Sequence, residues 1–569
     1  MKATRMCFFS IGLLFFFILG SNITLSQKQT DLPVSGIWRV RPLGPQKPTE
    51  PIQSLPTGVT TTNVRVNQDA QGFLRNQNEN AIVVNPKNDE NVVAGSNYLD
   101  YPATDFRAAY YYSTNGGSNW TEGILPTGGF YDASGDPAVS FDRNGVVYYS
   151  HISFDRPFEE FHDNGLFVNR STDGGVTWLS NPFVLEQNGD GSDPNRTQTY
   201  IEDKPYHMCD AVIGSPYQNN VYVSWTRFFY DGSPSQIFLR KLRSGQPSFD
   251  SRIQISTNTA GYYVTGSMPV VGPNGFVYVV WFQTNLAFTS GTLWLAKSTN
   301  GGASFGTPEN IVSGIVPVTT VYHHLRANSY PSIAVNISGA DLTGVAYVTW
   351  CDRRDGTPDI FYSQSDANVE NWSAPALVNE VTTNDQWFPW ATVGPNGLLH
   401  IIYYDRSADP NNIMADVYVA TSGLYYSRTH TKVNSASFNP SLGFPDGSFM
   451  GDYSGIAASM TRVFPFWTDT RSTTDQDVYT ALLDLETFSA TVNQKKEDGT
   501  TDVGTLGQWN GDSFNPRFNP GTPRSLTLWT TETLHGDINM YTNQKYHDWS
   551  DPPDVKNHHG FLRDSSILS

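Results

Sequence analysis

The sequence predicts an all-β fold, a seven-bladed β-propeller, on three observations. A turn-forming octapeptide occurs three times: Ser113-Thr-Asn-Gly-Gly-Ser-Asn-Trp120, Ser171-Thr-Asp-Gly-Gly-Val-Thr-Trp178 and Ser298-Thr-Asn-Gly-Gly-Ala-Ser-Phe305. A small-apolar segment, opened by an acidic or aromatic residue and often a proline, recurs seven times. Each copy is followed by a turn and a strongly β run rich in Val, Tyr and Trp. Units of this kind bury their faces only against their neighbours, and a ring of them closes on itself.

In each octapeptide the Asn/Asp-Gly-Gly supplies positive-φ positions for a tight reversal between strands, and the Asn or Asp side chain accepts from turn amides. The closing Trp or Phe packs back on the sheet. A degenerate fourth copy is read from Ser363 to Trp372.

The first repeated strand, strand A, is read at Glu79-Asn-Ala-Ile-Val-Val84, Asp136-Pro-Ala-Val-Ser140, Asp203-Lys-Pro-Tyr206, Met268-Pro-Val-Val271, Tyr330-Pro-Ser-Ile-Ala-Val335, Phe388-Pro-Trp-Ala-Thr-Val393 and Gly451-Asp-Tyr-Ser-Gly-Ile-Ala457. Pro137, Pro205, Pro269, Pro331 and Pro389 set its spacing. Strand B follows, as in Val221-Tyr-Val-Ser-Trp225, Val277-Tyr-Val-Val-Trp281 and Ala346-Tyr-Val-Thr-Trp350. Gly-Pro-Asn-Gly at 272–275 and 394–397 reads as the hairpin between A and B. Strand C leads into the octapeptide. The segment 62–66, ahead of the first blade, is placed to supply the outer strand that closes the ring.

Residues 1–26 read as a secretory signal: Lys2 and Arg5 precede an apolar stretch from Cys7 to Gly20 that is too short for a membrane span. The expected mature chain is exported, extracellular or periplasmic. Residues 27–61 form a Pro-rich leader, 62–488 the propeller and 489–569 a small β-rich appendage. Removing the signal takes the formal charge from −18 to −20, which disfavours nucleic acid and anionic membrane surfaces as partners. Cys209 and Cys351 remain, in non-adjacent repeats, and suggest no disulfide framework. His558-His559 lacks the partner spacing of a metal site, and no metal or cofactor is expected.

Strand direction separates two faces. Strands within a blade alternate in direction, so the start of A and the end of B share one face, and the octapeptide turns lie on the other. The first face collects chemistry. Glu79, Asp136, Asp203 and Asp452 open inner strands, with Tyr453 beside Asp452. Strand B ends in Trp225-Thr-Arg227, Trp350-Cys-Asp-Arg-Arg354, Tyr403-Tyr-Asp-Arg406 and Trp467-Thr-Asp-Thr-Arg471. Arginines from several blades can clamp one carboxylate, with nearby carboxylates as acid and base. The same residues suit a structural role, because Asp and Arg at strand ends pair to satisfy each other.

The octapeptide resembles the Asp-box, Ser-x-Asp-x-Gly-x-Thr-Trp, of sialidases and related propellers. The copy at 171–178 matches every fixed position, and Asn115 and Asn300 replace the Asp in the others. Over about residues 75–485 the chain resembles secreted sialidase-like propellers. Asp203-Lys-Pro, Gly451-Asp-Tyr-Ser-Gly and Trp467-Thr-Asp-Thr-Arg471 are similar to a bacterial branch labelled exo-α-sialidase. The resemblance implies an exported glycosidase acting on a terminal acidic sugar, with three Arg on its carboxylate, a Tyr nucleophile paired with Glu, and an Asp acid/base. The Phe/Tyr-Arg-Ile-Pro motif of sialidases is missing: Phe106-Arg107 runs on into Ala-Ala on a strand C. Sialidases usually have six blades, and seven are counted here. The catalytic set therefore does not transfer residue by residue. By position, Tyr453 is the candidate nucleophile, Asp452, Asp203 and Asp136 the candidate acids, and Arg227, Arg353, Arg406 and Arg471 the candidate substrate ligands. Two alternatives stand beside this: a non-catalytic glycan- or protein-binding propeller, and a polysaccharide lyase with His151 or Tyr206 as base.

Overall fold

The structure, a computed structural model, describes residues 62–68, 75–100, 105–129, 131–155, 163–189, 199–339, 342–422, 428–444, 447–485, 491–496, 501–505 and 523–528. The signal segment, the leader and the His558-His559 pair lie outside these residues.

Seven four-stranded antiparallel sheets follow one another along the chain. Strand β1 (Thr62–Arg65) precedes blade one, which runs from β2 (Arg75–Asn85) to β5 (Thr121–Ile124). Blade two runs from β6 (Ala133–Phe141) to β9 (Phe183–Asn188), and blade three from β10 (Tyr200–Cys209) to β13 (Ile253–Gln254). Blade four runs from β14 (Tyr262–Val271) to β17 (Glu309–Ile315). A separate hairpin, β18 (Thr320–Val321) with β19 (Leu325–Arg326), comes before blade five. Blade five runs from β20 (Ser332–Val335) to β23 (Ala376–Leu377), and blade six from β24 (Gln386–Val393) to β27 (Arg428–Lys432). Blade seven holds β28 (Gly455–Ala458), β29 (Arg462–Asp469) and β30 (Asp477–Asp484).

The fourth strand of blade seven is β1, which pairs with β30 from Thr62↔Leu482 to Arg65↔Tyr479. The ring is thus closed by main-chain bonds between the two ends of the propeller, as the segment at 62–66 predicted. Closure buries the faces of the first and last blades against each other, which an arc of blades would leave exposed. The last described propeller residue is Leu485, and β31 (Thr491–Lys496), β32 (Thr501–Thr505) and β33 (Pro523–Leu528) form a three-stranded sheet in a separate compact unit.

The core lies between blades. Trp225, Trp281, Trp350 and Trp467, which end the predicted B strands, are all fully buried. Cys209 and Cys351 are buried free thiols.

All three octapeptides fold into one turn. The opening Ser hydroxyl accepts from the second Gly amide at 2.9 Å, in Gly117, Gly175 and Gly302 alike. Both glycines have positive φ, from 62° to 90°. The third residue caps the turn. Asp173 accepts from the Thr177 amide at 2.9 Å and from the Thr177 hydroxyl at 2.5 Å, and Asn115 and Asn300 accept from the matching amides at 2.9 and 3.0 Å. The fourth copy is an octapeptide from Ser365, not Ser363: Ser365 bridges to Trp372, and Asp366 caps the turn from the second position. The pairing puts these turns on the face opposite the starts of the inner strands, so their role is structural.

Because an amide oxygen fills the capping role twice, Asp173→Asn is expected to stay near wild-type stability. Asp173→Ala should lose about 1 kcal/mol, held down by the exposure of the side chain. Urea unfolding of both variants measures this. A loss in Asp173→Asn as large as in Asp173→Ala would refute the capping role.

Candidate functional site

Regular pairing breaks at the same place in five inner strands. β2, β6, β10, β14 and β24 each carry a bulge, between Asn78/Ala81, Gly135/Ala138, Asp203/Tyr206, Thr265/Met268 and Trp387/Trp390. Within each bulge one residue has positive φ: Glu79 57°, Asp136 55°, Lys204 51°, Gly266 63° and Phe388 51°. Four of these five are not glycine, and each such position costs roughly 1–3 kcal/mol of strain. A bulge re-aims a side chain, so the seven-fold scaffold repeatedly delivers one residue to its axis. The matching positions in blades five and seven, two residues before the first paired one, are Tyr330 and Tyr453.

This register corrects the sequence alignment in two details. Lys204, not Asp203, stands level with Glu79 and Asp136, and Asp203 stands one residue earlier, level with Asp452. Pro269 lies two residues beyond the level of Pro137 and Pro205.

The delivered side chains are of two kinds. Blades one to three bring charge, as Glu79, Asp136, Asp203 and Lys204. Asp452 from blade seven joins them and accepts at Oδ2 from Lys204 Nζ at 2.5 Å and from Arg326 Nη2 at 2.5 Å. Asn328 donates to the Asp452 carbonyl at 2.8 Å. Asp136 Oδ2 lies 4.0 Å from Lys204 Nζ. Asp136 is a close neighbour of both the Glu79 and the Asp203 carboxyl groups, and its charge raises the pKa of each.

Four carboxyl groups thus face two cations in a buried space. Burial, and then Asp136, hold Glu79 well above the usual carboxylate range. Burial pushes Asp203 up to about 7 against the pull of Lys204, with Asp136 adding to the rise. Burial works against the charge on Lys204, but Asp452, Asp136 and Glu79 outweigh it and hold its ammonium well above the ordinary range. Burial raises the Tyr453 phenol, and Glu79 and Asp136 raise it further. Its hydroxyl donates to the Pro137 carbonyl at 3.0 Å.

Blades four to seven bring aromatic and apolar groups, joined by Tyr206 from blade three. Tyr206, Met268, Tyr330, Phe388, Trp390 and Tyr453 line an axial cavity whose polar end is Lys204, Asn328 and Asp452. Trp390 packs against Tyr206 at 5.1 Å and Tyr453 at 5.6 Å between ring centroids. At the bulge position blade four brings only Gly266, and a Cβ there would lie 2.7 Å from the Tyr330 ring. The cavity measures about 40 Å³. That is room for a few waters, each needing about 10–15 Å³ by the same measure, and too little for a sugar ring.

The four candidate substrate arginines are not brought together. Arg227 binds Glu202, which also accepts from Trp225 Nε1 at 2.7 Å, and lies over the Phe238 ring at 4.9 Å. Arg471 binds Asp469 at 2.5 Å, which accepts from Trp467 Nε1 at 2.9 Å, and lies over Tyr479 at 4.2 Å. Arg354 repeats this with Asp352, Trp350 and Phe361. Each trio satisfies a buried indole, carboxylate and guanidinium inside one blade. Arg353 donates to the Thr320 carbonyl at 2.6 Å and Arg406 to the Tyr322 carbonyl at 3.1 Å. His151 is fully buried, bonded through Nε2 to Asn169 at 2.8 Å, and is not in the cavity lining. Sequence reading missed Lys204 and Arg326. Lys204 was visible as the residue before Pro205, but Arg326 lies in a connection outside the repeat.

No protein-family model matches the chain, and no curated protein is similar to it. Solved structures with a measurable likeness include a protein of unknown function from Dyadobacter fermentans DSM 18053, at 11% identity and TM-score 0.42, over 74% of this chain and 98% of that one. The α-L-arabinofuranosidase Arb93A from Fusarium graminearum gives 14% and 0.41, over 64% and 99%. The Hadza microbial sialidase Hz136 gives 12% and 0.40, over 66% and 73%. Likeness at this level carries no inference about activity, and the seven-bladed propeller follows from the strand order itself.

The cluster sets a pH dependence. Asp203 holds its proton more tightly in the folded chain than in the unfolded one. Its contribution to stability is therefore full at acid pH and lost as pH rises from the ordinary carboxylate range to about 7. Burial lowers His151 to about 4, and His207 and His400 to about 3, so their contribution is lost as pH falls below about 6.5. Between about pH 4 and 6.5 the two effects oppose each other, and above about pH 7 Asp203 changes nothing further. Asp203→Asn should therefore make the loss of stability from about pH 6.5 down to pH 4 steeper than in the wild type. An unchanged slope in urea-unfolding midpoints would show that Asp203 does not hold its proton in the folded chain.

Proposed function

We propose that the protein acts on glycans at the axial cavity, as a sialidase-like glycoside hydrolase that takes a terminal acidic sugar, with the cavity widening from its about 40 Å³ to admit the ring. The observation that carries this reading is the buried cluster of carboxyl groups around Lys204 and Arg326, held partly in strained backbone beside an aromatic-lined cavity. Hydrolysis adds water across the glycosidic bond and needs a group to protonate the departing oxygen. Asp203, which burial keeps partly protonated near neutrality, supplies that proton. Trp390, Tyr206 and Tyr453 suit the apolar face of a sugar ring. Lys204 and Arg326 are the cations available to a sugar carboxylate. Tyr453 is the nucleophile in this reading, and its raised pKa means that a carboxylate must take its proton as it attacks. The exported location implied by the first 26 residues fits a glycan substrate outside the cell.

A second reading, a non-catalytic glycan-binding propeller, is favoured by one observation. Arg227, Arg353, Arg406 and Arg471 all hold partners of their own, so they assemble no three-arginine clamp. A screen of purified protein against fluorogenic sialosides and acidic polysaccharides separates the two. Hydrolysis that disappears in Tyr453→Phe with binding retained, and falls at least about 100-fold in Asp203→Asn, supports the first. Full activity in Tyr453→Phe refutes the nucleophile assignment. Binding without turnover by the wild type selects the second.

A further inference from the structure

Arg353 and Arg406 occupy equivalent places, each one residue after an aspartate that ends its strand: β21 (Ala346–Asp352) and β25 (Leu399–Asp405). Side chains alternate along a strand, so the residue after the aspartate leaves the blade on the opposite side from the aspartate. Both arginines reach the same object. Arg353 holds the Thr320 carbonyl and Arg406 the Tyr322 carbonyl, on either side of the turn into the β18–β19 hairpin. Asp385 completes the clamp by accepting from the Tyr322 amide at 2.6 Å, and its carboxylate lies 3.7 Å from Arg406. Arg406 is fully buried over the Trp387 ring at 4.8 Å, with Nε and Nη2 lacking hydrogen-bond partners. A buried guanidinium kept in so incomplete an environment has its geometry set by what Nη1 and Asp385 hold.

The hairpin they grip is strained. His323 and His324 both have positive φ, 64° and 60°, at an exposed tip. Directly after the tip the chain delivers Arg326 and Asn328 to Asp452. Arg326 is also fixed by its amide on the Ser448 carbonyl at 2.7 Å and lies over Phe449 at 5.3 Å. We propose that Arg353, Arg406 and Asp385 are positioning residues: they lock the β18–β19 hairpin in its strained form so that Arg326 and Asn328 reach Asp452 across the channel mouth. The hairpin thereby completes the charge balance of the axial cluster. The proposal rests on the axial cluster being the site, but its test needs no substrate, so its failure leaves the glycan screen standing.

The readout is the midpoint pH over which the stability that Asp203 adds is lost, taken as the difference from the matched Asp203→Asn chain and followed by urea unfolding between about pH 4 and 9. The groups that face Asp203 are Glu79, Asp136, Lys204, Asp452 and, through Asp452, Arg326. Arg326→Ala removes one cation and should move that midpoint upward, on the order of half a pH unit. Arg353→Ala and Arg406→Lys should move it the same way, by part of that amount. In an Arg326→Ala background neither should move it further. Trypsin cleavage after Arg326, slow in the wild type, should rise at least several-fold in both variants before cleavage elsewhere does. Arg353 is partly exposed and sits outside the deep core, so its variant carries the test if Arg406→Lys does not fold. A uniform loss of stability at every pH, with the midpoint unmoved and no selective cleavage after Arg326, would overturn the proposal.

Discussion

The carboxylate of Asp452 is the point on which the channel depends. It receives Lys204 from blade three and Arg326 from the hairpin before blade five, both at 2.5 Å, while its own backbone belongs to the entry into blade seven. Three separated parts of the ring are thereby tied across the axis. Burying these charges is costly, and the pair is retained only because each group has a partner. Breaking such a pair by removing one side typically costs about 3–5 kcal/mol, since an uncompensated charge is left behind. Burial and the neighbouring Asp136 push Glu79 and Asp203 toward their protonated forms, which reduces the excess of carboxylate over cationic charge.

That arrangement is reached through a defect repeated in the inner strands. A straight inner strand would alternate its side chains between neighbouring blades. The bulge turns one residue out of this alternation and toward the axis, at the cost of positive φ in Glu79, Asp136, Lys204 and Phe388. Scaffold symmetry and chemical asymmetry then coexist. The backbone does the same thing in successive blades, while the delivered residues pass from acid and amine in blades one to three to aromatic rings in blades five to seven. Gly266 marks the change, because the Tyr330 ring fills the space its side chain would need.

On the same face, the ends of the second strands serve two mechanical ends. The Trp–carboxylate–Arg trios of blades three, five and seven stiffen each blade, with the guanidinium stacked on an aromatic ring of the next strand. The neighbouring positions face the long connections instead: Arg353 and Arg406 on the β18–β19 hairpin, and Thr470 Oγ1 on the Asn439 carbonyl at 2.6 Å. Two arginines that are adjacent in sequence, Arg353 and Arg354, therefore do unrelated work.

The sequence by itself determined the propeller. Seven A/B pairs, the Gly-Gly turns and the segment at 62–66 are local signals, and local hydrogen bonding plus period-two burial is enough to read blade number, strand order and ring closure from them. It also determined which face gathers charge, because that follows from antiparallel order alone. Alternation could even have separated Arg353 from Arg354. Only the tertiary structure decided what the gathered residues do. The bulge shifts register by an amount that Asp-Lys-Pro does not reveal, so Lys204 took the axial place assigned to the level of Asp203. Arg326 comes from a connection with no repeat to flag it, and it meets Asp452 only because the ring brings residues 126 positions apart in the chain into contact. Whether an arginine pairs within its blade or reaches a neighbouring hairpin depends on side-chain direction and on what packs beside it, and neither is a property of the local sequence.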